Sequence, residues 1–147
     1  MFNVWGYMLT GKNPILSILI AEDDAINQKV IRLMLRKLGH HADVVANGLA
    51  VLKALERHYD VVLMDIGMPE MDGLQATEYI RYYWPAREQP HIIAVTAYGR
   101  SNVRKICLDA GMDDFISKPV RIEELKSALQ FVDRDTQQDC QKLLSES

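Results

Sequence analysis

Four apolar runs end in polar groups that a buried strand does not need. ILSILIA stops at Glu22, Asp23 and Asp24, VVLM runs directly into Asp65, IIAVT closes on Thr96, and DFIS is followed by Lys118 and Pro119. If these ends converge, Glu22, Asp23 and Asp65 crowd three carboxylates together, which is costly unless a cation neutralises them. Oxygen-only ligands with room for waters and phosphate oxygens suit a hard divalent ion, Mg²⁺. Asp65 is the candidate nucleophile, because a carboxylate accepts a phosphoryl group to give an acyl phosphate. Phosphoryl transfer asks mainly for alignment and charge neutralisation, so a divalent ion and the Lys118 ammonium supply most of the machinery. The Thr96 hydroxyl is placed to bond a phosphoryl oxygen, and the small Ala97 leaves access open. A threonine ending a strand is ordinarily structural; the company of the other strand ends is what gives Thr96 weight. Asp24 reads instead as a helix cap.

Elements of two kinds must position these groups. Short β-branched runs at Ile15 to Ala21, Ala42 to Ala46, Val61 to Met64, Ile92 to Thr96 and Asp114 to Ser117 predict strands buried on both faces. Between and after them, helical periodicity covers Ala25 to Leu38, Leu49 to Arg57, Leu74 to Tyr83, Ser101 to Ala110 and Ile122 to Val132. Asp24 caps the first helix, and Gly39 and Gly111 stand where C-terminal glycines belong. Strand and helix alternating with short links predict a doubly wound α/β fold, a five-stranded parallel sheet with five helices, because right-handed crossovers cover both faces of the sheet. Functional residues then gather at the carboxyl ends of the strands, where the strand order reverses.

Composition narrows the function. The chain has 147 residues, 48% hydrophobic and 25% charged, as expected of one ordinary globular domain. A net charge of -3 is the wrong sign for gripping phosphates, so nucleic acid is not an expected direct partner. Cys107 and Cys140 have no second Cys or His at ligand spacing and fit a reducing, cytoplasmic setting. No apolar run reaches the roughly 18 residues of a membrane span, and MFNVWGYMLTGKNP has no basic leader region of a signal peptide.

Taken together, ILIAEDD, VVLMDIGMPEMDG, AVTA and FISKP, in that order and each at its strand end, resemble the receiver domains of two-component response regulators. The resemblance spans residues 15–132 and leaves 1–14 as an N-terminal extension and 133–147 as a polar tail. It implies a flavodoxin-like fold, with Asp65 as phosphoacceptor and Glu22 and Asp23 as the metal-binding acid pair. The carbonyl of Gly67 becomes a further Mg²⁺ ligand, and Thr96, Ala97 and Lys118 hold the phosphoryl group. Thr96 also becomes the switch hydroxyl and Phe115 the switch aromatic, although Phe115 is equally readable as core. The Lys118–Pro119 bond is expected to be cis, and Gly73 to meet a turn that needs positive φ. The partners implied are a histidine kinase or histidine phosphotransfer protein and an unidentified downstream protein. The chain is then a signalling phosphoacceptor that assists its own phosphorylation and dephosphorylation, not an enzyme in the usual sense. EDDAINQKV is closest in style to receivers of hybrid histidine kinases.

Some readings stay open. On the first helix Val30, Ile31, Met34, Leu35 and Leu38 suffice for a core stripe, and Ile26 and Leu33 either broaden it or form a dock for a kinase or phosphotransfer helix. Tyr98 either shields an acyl phosphate, whose decay would then be slow beside a side-chain-free Gly67, or is a solvated loop tyrosine. DRDTQQDCQKLLSES cannot form an effector domain, so a stand-alone receiver and a domain of a hybrid kinase are both compatible. The rivals are a small phosphatase or nucleotide-binding protein, which the missing Gly-rich phosphate loop disfavours, and a degenerate receiver, which the intact acid, hydroxyl and lysine set disfavours.

Overall fold

The computed structural model describes residues 15–97 and 101–132. Five strands alternate with helices: β1 (Ser17–Ala21), α1 (Ala25–Lys37), β2 (His41–Val45), α2 (Gly48–Ala54), β3 (Val61–Met64), α3 (Gly73–Tyr83), β4 (His91–Thr96), α4 (Ser101–Asp109) and β5 (Asp114–Ser117). A last helix, α5, covers 122–132. All neighbouring strands pair in parallel, in the order β2-β1-β3-β4-β5, so the order reverses between β1 and β3. Alternate residues of β1 serve opposite faces, as the strand period of two requires. Ile18 and Ile20 pack with Ile31 and Leu35 of α1 and Leu125 and Leu129 of α5. Leu19 and Ala21 pack with Val51 of α2, Ile80 of α3 and Cys107 of α4. The sheet is thus covered on both faces, as the apolar strands predict.

Boundaries differ from the sequence pattern by a few residues. β1 begins at Ser17 and not at Ile15, because the Leu16 N–H donates to Nδ1 of buried His40 at 3.2 Å and the Ser17 N–H to Asp60 Oδ2 at 2.7 Å. β2 lies one residue earlier than its pattern suggests, in register from Ser17↔His41 to Ala21↔Val45. α2 ends at Ala54 and not Arg57, since Glu56 and Arg57 turn back on the carbonyls of Lys53 and Ala54, three residues behind each. A short 3₁₀ turn at Ala86–Glu88, without a sequence signal of its own, leads into β4.

Capping side chains hold the helix starts facing the carboxyl ends of the strands. Asp24 Oδ1 accepts from the Asn27 N–H at 2.9 Å, Asn47 accepts from Ala50, and Asp72 with Gln75 closes a reciprocal capping box. Gly39 and Gly111, at φ +88° and +106°, reverse the chain after α1 and α4 as expected. At the opposite end of the sheet, Arg81 of α3 donates to the carbonyls of Gly111 and Pro90, to Gln89 and to Asp113 Oδ2, the last at 2.7 Å. The same Asp113 oxygen accepts from the Ile92 N–H, so one guanidinium ties α3 to the starts of β4 and β5.

Gly73 departs from expectation in its reason. It does not have positive φ; that backbone conformation falls on Glu70 at φ 66°. Gly73 instead opens α3 so close under the acceptor strand that a Cβ would run into the Asp65 carbonyl oxygen, with Met64 Cγ at 2.8 Å. Gly73→Ala is therefore expected to destabilise by about 1–3 kcal/mol through overpacking, read as a lower urea midpoint at unchanged slope.

Burial lowers the pKa of His40, whose Nδ1 must stay unprotonated to accept from Leu16. The unfolded chain therefore takes up the proton more readily than the folded one. Stability is fully present above the unfolded value near 6.5 and falls as pH drops below it toward the depressed folded value. His40→Asn, which keeps an acceptor without a proton to gain, is expected to flatten the dependence of urea unfolding on pH between about 7.5 and 5.

Candidate functional site

The reversal of strand order builds the site. Ala21 of β1 pairs with Met64 of β3, so the next residues, Glu22 and Asp65, leave adjacent parallel strands side by side, at the usual spacing of about 4.8 Å. Ligand oxygens of Glu22, Asp23 and Asp65 all lie within 4.8 Å of one another. The convergence expected from the strand ends is therefore present. Glu22 and Asp65 are buried, at 2% and 7% exposure, while Asp23 is exposed.

Lys118 reaches this cluster from the end of β5, donating from Nζ to Glu22 Oε2 at 2.6 Å and to Asp65 Oδ2 at 3.0 Å. The Lys118–Pro119 peptide is cis, as expected. The Lys118 N–H donates to the Thr96 carbonyl, which holds the β5 exit against the end of β4. Burial alone would pull the Lys118 ammonium down, but its hydrogen bonds to Glu22 and Asp65 outweigh that and hold its pKa above the ordinary value. Glu22 is raised, first by burial and further by the charge of Asp65, against the lowering influence of Lys118 and the Asp24 N–H.

Each carboxylate pair at this spacing repels by on the order of 3 kcal/mol at a protein-like dielectric. One ammonium among three acids leaves two negative charges uncompensated. All the donors are oxygens, one of them on an exposed side chain that admits water, and that combination fits a small hard divalent cation.

The remaining expected residues lie in the loop after β3 and on or just after β4 and on β5. Asp65 Oδ1 accepts from the Gly67 N–H at 3.1 Å, which brings the Gly67 peptide beside the acceptor. Thr96 is fully buried at the end of β4, and Ala97 follows it exposed. The register Ala94↔Phe115 and Thr96↔Ser117 places half-buried Phe115 on the same sheet face as Thr96. Tyr98 lies outside the described residues, as do Cys140 and the segments 1–14 and 133–147. Cys107 is buried, and burial raises its thiol pKa, consistent with a packing role.

The sequence pattern overstates the core stripe of α1. Ile31 and Leu35 are buried, but Val30 is 42% exposed and joins Ile26 at 74% and Leu33 at 53% on one face, at helical spacings of four and three. This patch begins two residues beyond Asp24, beside the acids. Two contacts lay beyond sequence reasoning: the Glu22–Lys118 pair, formed across most of the chain, and the Gln28 side chain, which reaches back to the Glu22 carbonyl at 2.6 Å. Nothing in the spacing distinguishes Gln28 from any other polar helix residue.

Residues 18–130 match the family model of the response regulator receiver domain. The chain is 40% identical over 144 residues to a probable histidine kinase 1 of Oryza sativa subsp. indica, and 41% identical over 137 residues to hybrid signal transduction histidine kinase K of Dictyostelium discoideum. These matches cover 77% and 86% of the chain but only 15% and 11% of the relatives, so the chain spans a small part of their length. Among solved structures, it resembles the receiver domain of a sensor histidine kinase from Pseudomonas aeruginosa PAO1, crystallised with a magnesium ion coordinated in its active-site cleft. That likeness has a TM-score of 0.73 at 40% identity and covers 81% of this chain and 98% of the other. A matching family model, the doubly wound sheet and three acids meeting a lysine at its switch point lead to one conclusion: the chain belongs to the response regulator receiver domain family.

Proposed function

We propose that this chain accepts a phosphoryl group from a phosphohistidine onto Asp65, in a Mg²⁺-dependent reaction, and that the modification changes which partner it binds. The observation that carries this reading is the Asp65 carboxylate, buried at a strand end, bonded to Lys118 and grouped with two further acids. Mg²⁺, held by Glu22, Asp23, Asp65 and the Gly67 carbonyl, supplies charge neutralisation for the transferring group. An Asp65 oxygen attacks phosphorus, the bond from phosphorus to the donor imidazole nitrogen breaks, and the imidazole leaves with that electron pair. Lys118 turns from Asp65 toward a phosphoryl oxygen, the Thr96 hydroxyl donates to another, and Ala97 offers its backbone N–H without a bulky side chain in the way. Movement of Thr96 frees space that Phe115, on the same face, then fills, biasing an equilibrium between two arrangements of α4, β5 and α5.

The donor is a histidine kinase or a histidine phosphotransfer protein, as suits a domain similar to parts of a probable histidine kinase and of a hybrid signal transduction histidine kinase. Ile26, Val30 and Leu33 form an exposed apolar patch beside the acids, suited to a helix of that donor. The chain is a phosphoacceptor modified once per transfer and not a turnover enzyme, and it works in the cytoplasm, where its donors act. No helix among the described residues is long and apolar enough to cross a membrane.

Incubation with acetyl phosphate is expected to add one phosphoryl group, seen by intact mass, that requires Mg²⁺ and is lost in Asp65→Asn. No adduct on a Mg²⁺-binding wild-type protein would remove the acceptor reading. Leu33→Glu is expected to slow transfer from a phosphohistidine donor about tenfold, a loss of roughly 1.4 kcal/mol at the interface, while labelling by acetyl phosphate stays at the wild-type rate. Thr96→Ala is expected to retain phosphorylation but lose the phosphorylation-dependent shift of the Phe115 ring resonances in NMR spectra.

A further inference from the structure

The three acids are not held alike. Glu22 has its carboxylate fixed from both sides, Oε1 by the Asp24 N–H at 3.2 Å and Oε2 by Lys118 at 2.6 Å. Asp65 is held by Gly67 and Lys118. Asp23 is exposed, and its carboxylate has no hydrogen-bond partner among the described residues, so its position is set by its backbone alone.

Gln28 is among the groups that hold that backbone. The peptide joining Glu22 to Asp23 is planar, so the direction of the Glu22 carbonyl fixes the Asp23 N–H and the placement of its Cα. The Glu22 N–H is held by Val45 of β2 at 3.0 Å, and Gln28 Nε2 donates to the Glu22 carbonyl at 2.6 Å. Gln28 is itself anchored in the first turns of α1, where its N–H donates to the Asp24 carbonyl at 3.0 Å and Asp24 caps the helix through Asn27. The segment from Glu22 to Gln28 is therefore a closed clamp, with Asp23 projecting from its outer side. A strand-end carbonyl without this donor is left to water and free to rotate.

We infer that Gln28 is a positioning residue for the metal: by holding the Glu22 carbonyl, it presents the otherwise unsupported Asp23 carboxylate to the divalent ion. This inference rests on the reading of Glu22, Asp23, Asp65 and the Gly67 carbonyl as the Mg²⁺ site and adds to them a residue that itself touches neither metal nor phosphoryl group. Partners that orient metal ligands in this way commonly carry a tenfold or larger share of metal affinity.

The test is a titration of the full chain with MgCl₂, followed by the amide resonances of residues 22 to 24 and run beside urea unfolding. Gln28→Met, of similar length and helix propensity but with no donor, is expected to bind Mg²⁺ about tenfold more weakly at an unchanged unfolding midpoint. With acetyl phosphate, Gln28→Met is expected to need more Mg²⁺ for half-maximal labelling yet reach the wild-type rate at saturation. Wild-type Mg²⁺ affinity in Gln28→Met overturns the inference, and so does a loss of affinity matched by an equal fall in the unfolding midpoint. Direct metal binding does not depend on phosphoryl transfer. A wild-type protein that binds Mg²⁺ but is never labelled, with Gln28→Met binding more weakly, supports Gln28 while removing the acceptor reading.

Discussion

The repulsion among Glu22, Asp23 and Asp65 is the constraint around which the site is arranged. Two parallel strands that end in acids at neighbouring register positions bring like charges to about strand spacing, and burial of two of them raises the cost. Lys118 offsets part of it from the far edge of the sheet, and its two bonds bind the end of β5 to the ends of β1 and β3. The compensation is incomplete by two charges, and that shortfall gives the cluster its appetite for a divalent ion. A more complete internal neutralisation would make a more stable protein and a poorer metal site.

Much of this was legible because chemistry and burial conflict at the strand ends. An aspartate directly after VVLM, or a lysine before proline after DFIS, has no role in an apolar ladder, and the parallel topology then dictates that such ends meet. The elements were legible for a related reason: continuous β-branched runs and the caps Asp24, Gly39 and Gly111 are local signals with local causes. What stayed hidden depends on distance in the chain. His40 captures the Leu16 amide and shortens β1, and Gly73 is small because Asp65 passes over it, not because of its own φ. Val30 matches the helical core period, yet it stands 42% exposed, to the side of the buried Ile31 and Leu35.

The helices complete the site mostly through backbone and short caps. Asp24 ends the acid loop and starts α1, Gln28 reaches back to the same loop, and Gly73 starts α3 immediately under the acceptor. Residues that neither bear charge at the site nor touch a ligand thus determine where the charged ones stand.

Arg81 gives the molecule a mechanical asymmetry. Its guanidinium lashes α3 to the loop before β4 and the turn before β5 at the end of the sheet remote from Asp65. The strands are therefore moored differently at their two ends: at the base by a guanidinium shared among carbonyls and Asp113, and at the tips by the Lys118 ammonium shared between two acids of the cluster.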